Sequence, residues 1–563
     1  MDKKIEIANS LASLTGLTAE AMAEMLEAPK NVEMGDLSLP CFRLAKIMRK
    51  APAAIADDLA QGIPAIAGVA RVKSLSGYLN FFFGKADFAG DVIAQVRAQG
   101  DRYGSSSLGG GRQVCVEYSS INIAKPFHIG HLPSTAIGAA LYRIYDFLGY
   151  EAVAINHLGD WGTQFGKMIV AYRFWGEKPV LDCTVRELVA LYVRYHEEAE
   201  KDPSLDDQAR DWFRRMEAGD AEAVSLWRDF KEVSLAEARK VYDRLGVHFD
   251  SYAGESFYED KMRPIIDELR DSGIAKTDEG ALIVDLAPYN MPSCIIVKRD
   301  GSTIYLTRDL AAAQYRKETY DFAKNLYVVA YQQDLHFRQL FKVLTLLGRD
   351  WAADCVHVNF GMVSMEEGTL STRHGNVVYL SDVLDAACAK AREIIEEKSP
   401  DLAEKDAVAA EIGVGALLWS VLYNGRIKDT AFSWAKALSF EGETGPYVQY
   451  THARCCSVLN KNGKGVEGAV ETSVLDEPYS QAVIRAIAAF PKAVETAAEK
   501  NEPYLVARAV MALCTAFNKF YYECRILGES PAVQSTRLAL TDATRQTIAN
   551  GLGLLGLTAP ERM

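Results

Sequence analysis

Apolar and polar positions alternate in two rhythms along the 563-residue chain, and the switches between them outline its architecture. QVCVEYSS (113–120), rich in β-branched and aromatic side chains, predicts a strand. INIAKPFHIGHLP (121–133) predicts a loop that opens into a helix. STAIGAALYRIYDFLG (134–149) gathers its apolar residues on one helical face and stops at Gly149. EAVAINHLGD (151–160) predicts the next strand. This β-α-β spacing predicts a parallel sheet of the doubly wound kind. The sheet pattern resumes in three strand candidates, TIYLTRD (303–309), NLYVVAY (325–331) and CVHVNFGM (355–362). Helices AAAQYRKETY (311–320) and QDLHFRQLFKVLTLLG (333–348) lie between them.

The flanking rhythms differ. Residues 1–95 predict a small α+β unit, with helices around 4–27 and 40–61 and a strand GYLNFFF at 77–83. GSSSLGGGR (104–112) reads as a linker. Residues 180–300 are charge-dense and read as a mostly helical insertion into the α/β domain. From about 380 onward strand signals fade, and the periodicity predicts an all-α bundle. The fold class expected is therefore α/β: a Rossmann-like doubly wound parallel sheet with a helical insertion, an N-terminal α+β domain and a C-terminal all-α bundle.

Composition narrows the function. Hydrophobic residues make up 49% and charged residues 24%, which excludes a predominantly disordered chain. No run of about 18 apolar residues predicts a membrane span, and MDKKIEIANSLASLTG lacks a signal-peptide core. None of the 10 cysteines forms a C-x-x-C pair, and the one close pair is the adjacent Cys455–Cys456. That argues against a zinc ribbon or a disulfide framework and for a reduced, cytoplasmic enzyme. A net charge of −13 disfavours a general nucleic-acid coat but leaves room for local basic patches. One such patch is Arg43, Lys46, Arg49 and Lys50, which share a face of the predicted second helix. It is either a solvated face or a footprint for an RNA backbone.

The sharpest chemical signal is His128-Ile129-Gly130-His131, at the junction of the first strand and its helix. Doubly wound sheets bind ligands at the carboxyl ends of their strands, and a helix N-terminus there attracts phosphate. Two imidazoles can donate hydrogen bonds to phosphoryl oxygens as charge moves in a transition state. The glycine lets a base approach the backbone, so the pattern suits ATP. Most isolated H-x-G-H matches are ordinary surface or core histidines; the position after a strand and before a helix sets this one apart. His157 and Asp160 resemble half of a metal site, but no further ligands stand at sensible spacing. No protein-bound metal is expected, and Trp161 reads as core.

Several blocks then point to one family. EYSSINIAKPFHIGH (117–131) resembles the first signature of class I aminoacyl-tRNA synthetases, and more narrowly its arginyl version. NHLGDWGTQFGK (156–167), YLTRDLAAAQYR (305–316), QQDLHFRQLF (332–341), ETGPYVQYTHAR (443–454), FNKFYYECRIL (517–527) and GLLGLTAPERM (553–563) are similar to that family's later blocks, in order. The N-terminal VEMGDLSLPCFRLAK (32–46) agrees as well. The resemblance implies a tRNA-elbow-binding domain over 1–105 and a catalytic domain over 106–380. It implies a helical stem-contact region over 381–442 and an anticodon-binding domain over 443–563. The substrates implied are L-arginine, ATP with Mg²⁺, and tRNA(Arg), with no zinc, no membrane and a monomeric enzyme. The insertion would be connective, not hydrolytic.

The resemblance also implies site residues. His128, Gly130 and His131 would meet ATP, with Met362 and Val363 beside it. Lys125, three residues before His128, would compensate for a degenerate second signature. That signature, GTLSTRHG (368–375), has Thr369 and Thr372 where lysines are usual, with Ser371 and Arg373 beside them. Pro133 stands where arginine is usual; proline is tolerated in a helix's first turn, so the fold should survive. A guanidinium cannot lose its proton and presents a planar fork of donors, so an arginine pocket needs a carboxylate. Asp309, at the end of a predicted strand, would supply it, with Tyr305 alongside. The competing role for Asp309 is a cap on a helix starting near Leu310. Glu117, Ser120, Asn122, Gln333 and Glu255 would also hold the amino acid. Tyr447, Tyr450 and Arg454 would touch RNA by stacking and phosphate contact.

Overall fold

The computed structural model describes residues 3–27, 29, 34–365, 378–463 and 470–563. The chain divides into two compact units: Met1–Gly100 with Val458–Ala488 and Thr515–Thr544, and Asp101–Ser457 with Ala489–Cys514 and Arg545–Met563.

The first unit begins with α1 (Lys3–Thr15) and α2 (Ala19–Met25), followed by β1 (Leu37–Pro40), α3 (Ala45–Met48), α4 (Pro52–Gly62), β2 (Val69–Leu75), β3 (Tyr78–Phe83) and α5 (Lys85–Gln99). The strands form an antiparallel sheet in the order β1-β3-β2. Ile7, Leu11, Met22, Leu39, Ile55, Leu79 and Phe81 are completely buried between sheet and helices. Two expected long helices are broken. Gly16, at φ +72°, ends α1, and the Thr18 side chain caps α2 by accepting from the Ala21 N–H at 3.2 Å. The span 40–61 breaks at Arg49, which is left-handed at φ 51°. Ala51 precedes proline and is extended, and Pro52 can only begin a helix. Arg43, Lys46, Arg49 and Lys50 therefore do not share one helix face. All four remain exposed, beside exposed Phe42 and Ile47, and Lys50 pairs with Asp58 at 2.6 Å.

The second unit is built on a parallel sheet of β4 (Gln113–Glu117), β5 (Glu151–Ile155), β9 (Lys324–Tyr327) and β10 (Cys355–His357), ordered β10-β9-β4-β5. Helix α6 (Leu132–Phe147) joins β4 to β5. The next strands are added on the other side of β4, so the winding reverses between β4 and β9. That reversal opens a crevice at the strands' carboxyl ends.

The insertion between β5 and β9 is helical only in its first part: α7 (Thr163–Trp175), α8 (Val185–Ala199), α9 (Ser204–Glu217) and α10 (Ala221–Arg244). After α11 (Met262–Asp271) comes an antiparallel sheet of β6 (Ala275–Asp278), β7 (Ala281–Val284) and β8 (Cys294–Val297). TIYLTRD is not a strand. Ile304 is the extended cap, and α12 (Tyr305–Tyr320) starts immediately after it. The Thr307 hydroxyl donates to the Ile296 carbonyl at 2.6 Å, which anchors this helix start on β8.

After α13 (Asp334–Leu346) and β10, the short β11 (Val363–Met365) pairs in parallel with β12 (Thr430–Phe432). Helices dominate beyond: α14 (Leu380–Lys398), α15 (Lys405–Leu422), α16 (Trp434–Ala437), α17 (Gly445–Lys461), α18 (Pro478–Lys500), α19 (Tyr504–Glu523) and α20 (Pro531–Leu555). Among the described residues no helix is long and apolar enough to cross a membrane.

Candidate active site

The chain leaves β4 at Glu117 and makes an unusual loop before α6. Ser119 (φ 67°), Ser120 (φ 44°) and Ala124 (φ 58°) are all left-handed without being glycine. Each such residue costs about 1–3 kcal/mol and persists only where its surroundings dictate it. A buried polar network does so here. The Ser119 N–H donates to Ser134 Oγ (2.9 Å), which donates to the Val328 carbonyl (2.7 Å). The Thr135 hydroxyl donates to Ser119 Oγ (3.0 Å), which also meets the Tyr242 hydroxyl at 2.8 Å. The Ala124 N–H donates to Ser234 Oγ at 3.1 Å.

His128 ends this loop, and Ile129–His131 form one 3-10 turn leading into α6. Nδ1 of His128 accepts from the Gly130 N–H at 3.1 Å, so its proton sits on Nε2 and points away from the turn. His131 Nδ1 lies 3.2 Å from the His128 N–H. The two rings pack with centroids 4.0 Å apart. Burial lowers the pKa of His128, and burial with the neighbouring His128 brings His131 down to about 4. Both are neutral hydrogen-bond donors near pH 7. A Cβ on Gly130 would lie 2.8 Å from His128 Cε1, so glycine is needed here for the ring itself. Pro133 sits in the first turn of α6 and is buried, as the sequence allowed.

The expected loop residues fall around this turn. Lys125 and Asn122 are exposed. Asn122 pairs with Gly159, where a Cβ would come 2.3 Å from Asn122 Oδ1. Among the described residues, Ser120 Oγ is buried without a hydrogen-bond partner. Ser371, Thr372 and Arg373, with the rest of the second signature, lie outside the described residues. Of the residues flanking them, Met362 and Val363 are tied to β12 and its approach: the Met362 N–H donates to Asp429 Oδ1 at 2.7 Å, and Val363 pairs with Thr430. On the other side, the Ile129 N–H donates to the Val378 carbonyl at 3.1 Å.

Around Asp309 acidic and basic side chains alternate. Asp309 is not at a strand end and is not a cap; it stands in the first turns of α12, four residues after Tyr305 and on the same face. Tyr305 is 63% exposed. Asp309 Oδ2 accepts from His336 Nε2 at 2.7 Å, and His157 Nε2 stands 3.8 Å from Oδ1. Burial acts to raise the Asp309 pKa, but His336, His157 and Arg316 outweigh it and hold the carboxyl below its ordinary value. The Arg316 guanidinium can only donate, and it lies 3.4 Å from His157 Nδ1, which places the His157 proton on Nε2 toward Asp309. Arg316 is completely buried and pairs with Glu117 at 2.6 Å. Glu117 is thus engaged inside the protein. Glu255 shares Arg308 with Glu259, at 3.3 and 2.8 Å, and burial raises its pKa to about 8. Gln333 is exposed at the start of α13.

The sequence reading missed Arg316, His157, His336, Arg308 and Glu259 as members of this cluster. One signal was available for Arg316. It lies seven residues after Asp309, two helical turns on, in a helix whose Ala311–Ala313 stretch is buried. Asp160 is no metal ligand in waiting: it is fully buried and takes Lys231 at 2.5 Å and the Ser256 N–H at 2.9 Å. Among the described residues, no group of three or more His, Cys, Asp or Glu side chains stands close enough to hold a metal ion.

In α17, Tyr450 is 39% exposed and carries the Arg454 guanidinium 4.8 Å over its ring. Both line a groove of about 900 Å³ with Lys390, Lys398, Trp434 and Phe440. Tyr447, half-buried, lies one turn earlier.

Neutral paired imidazoles opening a helix at the switch point of a parallel sheet, with a helical bundle following in the chain, define a class I aminoacyl-tRNA synthetase. Family comparisons agree: residues 92–434 match the family described as tRNA synthetases class I (R), catalytic domain. Residues 3–83 match the arginyl tRNA synthetase N terminal domain, and 448–563 the DALR anticodon binding domain. An arginine–tRNA ligase of Clostridioides difficile is 52% identical over 100% of both chains, and one of Alkaliphilus metalliredigens is 50% identical over 98% and 97%. The solved arginyl-tRNA synthetase of Thermus thermophilus superposes with a TM-score of 0.82 at 26% identity, covering 100% of this chain and 99% of that one. That of Plasmodium falciparum shares the fold, at a TM-score of 0.81 and 23% identity. The chain belongs to the arginine–tRNA ligase family.

Proposed function

We propose that the site joins L-arginine to the 3′-terminal adenosine of tRNA(Arg) in two ATP-dependent steps. The arginine carboxylate attacks the α-phosphorus of ATP, pyrophosphate leaves, and the adenylate passes its arginyl group to a ribose hydroxyl, releasing AMP. No covalent enzyme intermediate is needed, so rate comes from positioning and charge stabilisation. The observation that carries this reading is the placement of Asp309. It is a partly exposed carboxylate beside Tyr305, linked through His157 and Arg316 to the last residue of β4, the strand from which the His128–His131 turn departs.

His128 and His131 would donate to phosphate oxygens as neutral rings, with Lys125 adding charge and Ser371, Thr372 and Arg373 closing over them. Met362 and Val363 would flank the nucleotide, and Mg²⁺ would arrive on the ATP phosphates as part of the substrate. Tyr305 and Asp309 would hold the guanidinium; Ser120, Asn122, Gln333 and Glu255 would help hold the amino acid. Glu117 would act through Arg316. The N-terminal domain (1–105), through Arg43, Lys46, Arg49 and Lys50, would meet the tRNA elbow. The region 381–442 would follow the tRNA stem, and 443–563, through Tyr447, Tyr450 and Arg454, would read the anticodon. The enzyme would work as a cytoplasmic monomer and form the adenylate only with tRNA bound.

Arginine-dependent ATP–pyrophosphate exchange tests this, with and without tRNA(Arg) and with other amino acids as controls. Exchange with arginine alone among amino acids, and only with tRNA present, is expected. Asp309→Asn should raise the KM for arginine sharply; an unchanged KM removes Asp309 from the pocket.

A further inference from the structure

Asp309 already has a basic group against it without a substrate. His336, in the first turn of α13, places Nε2 2.7 Å from Asp309 Oδ2. The groups around His336 come from every packed element. Asp309 faces it from α12, Glu117 acts on it from β4 and His357 from β10, while Asp334, paired with His357, precedes it on its own helix; His157, from the segment after β5, and Arg316, from α12, act on Asp309. Burial disfavours the imidazolium, but the hydrogen bond and charge of Asp309, with the charge of Glu117, hold the His336 pKa above its ordinary value. Glu117 is engaged by Arg316, so Asp309 is the carboxylate that His336 neutralises.

We propose that protonated His336 stands in for the substrate guanidinium on Asp309 and gives up its proton when arginine binds. This rests on the assignment of Asp309 to the guanidinium. Two cations then meet on one carboxylate. A guanidinium cannot deprotonate, whereas an imidazolium can. The Nδ1–H bond of His336 breaks, its electron pair stays on nitrogen and the proton passes to solvent. The neutral ring keeps its Nε2–H and therefore its hydrogen bond, so Asp309 remains aimed while the pocket's net charge is the same before and after. His336 is a positioning residue whose charge is exchanged for that of arginine. Arginine affinity should weaken about tenfold per pH unit below the His336 pKa, as expected for one linked proton.

Calorimetry of arginine binding to the full chain, at pH 6 to 8.5 in buffers of different ionisation enthalpy, reads the proton directly. Wild-type protein should release up to one proton per arginine, most at the acid end. His336→Asn keeps a donor for Asp309 but cannot titrate, so it should release none there and bind with an affinity that no longer falls toward the acid end. Glu255, whose pKa burial raises to about 8, is another group able to release a proton, and Glu255→Gln, which removes it, should leave the acid-end release intact. Wild-type binding without proton release, or equal release from His336→Asn, overturns the proposal. If His336→Asn does not bind arginine at all, the pH dependence of release by wild type and Glu255→Gln decides. Asp309→Asn separates the two readings. Unchanged arginine binding there removes the pocket assignment itself, while lost binding together with proton-free binding by wild type removes only the His336 exchange.

Discussion

Arg316 of α12 and Glu117 of β4 face each other as a buried ion pair, Nη1 to Oε2 2.6 Å, with the arginine fully enclosed. Removing either partner strands the other charge in a dry interior. Glu117→Ala or Arg316→Leu should cost about 3–5 kcal/mol of stability, read as a lower urea midpoint for the catalytic unit. An Arg316→Leu protein that unfolds at the wild-type midpoint would show that the pair does not hold β4 to α12.

Gly130 matters through its neighbour's ring. An added methyl would lie 2.8 Å from His128 Cε1 and 2.9 Å from Nδ1, so the imidazole must swing off its hydrogen bond to the Gly130 N–H. Gly130→Ala should lower kcat for pyrophosphate exchange by about 10²-fold, the usual scale for a misplaced catalytic group, with little change in arginine KM. A large rise in KM with kcat intact would place the defect in the amino-acid pocket instead.

The half-buried His131 ring makes the fold sensitive to acid. Its pKa is about 4 in the fold against 6.5 for an unperturbed ring, so between those values the unfolded chain binds a proton that the native one does not. Its contribution is fully present above pH 6.5 and is lost as pH falls toward 4, amounting to about 3 kcal/mol. Urea titrations across that window should show a shallower loss for His131→Gln than for wild type; parallel curves would mean that His131 titrates freely.

Glu255 should separate binding from stability. Glu255 is largely protonated in the fold at pH 7, and Arg308 keeps Glu259 at 2.8 Å, so Glu255→Gln leaves no charge unpaired. Because Gln cannot ionise on unfolding, its urea midpoint should match wild type in acid and lie above it at pH 7. If Glu255 helps hold arginine, the same change should raise arginine KM about tenfold or more, the loss of one charge-assisted hydrogen bond. In wild type the stability supplied by protonated Glu255 is fully present below about 4.5, where the unfolded chain also keeps the proton, and is lost as pH rises to about 8, where the folded group ionises.

The groove beside α17 offers stacking and charge together. Tyr450→Ala should weaken tRNA binding by about 1–3 kcal/mol, as for a lost base–aromatic stack. Arg454→Ala should also flatten the salt dependence of binding, since one phosphate contact fewer releases fewer counterions. Filter binding at several salt concentrations distinguishes them; equal slopes for wild type and Arg454→Ala would remove the phosphate contact.

The sheet and the His128–His131 turn were legible because each carries a local rhythm: β-branched strands, a one-faced helix and a glycine stop. TIYLTRD misled for the same reason. Its β-branched and aromatic content reads as a strand, but the anchor that makes it a helix start is Thr307 on the Ile296 carbonyl, eleven residues away. The sheet at 275–297 was hidden behind a charge-dense helical stretch, with strands of four residues each. The basic stretch at 43–50 was legible as charge but not as geometry, since Pro52 decides where the helix can begin. The pocket was half legible. Asp309 could be proposed because a guanidinium calls for a carboxylate, whereas His157, His336 and Arg316 join it only through contacts far apart in sequence.

The β11–β12 pairing also decides where the chain can be divided. Among the described residues, the strand carrying Val363 takes its sheet partner from Thr430–Phe432 and not from the β4–β9 sheet, and Asp429 fastens the Met362 amide. A polypeptide ending near residue 380, at the limit of the α/β rhythm, would keep both signatures yet leave this strand's edge bare. The smallest autonomous catalytic fragment therefore extends past Phe432. The helical region is, in that sense, part of the foundation of the strand that carries Val363 as well as a neighbour to it.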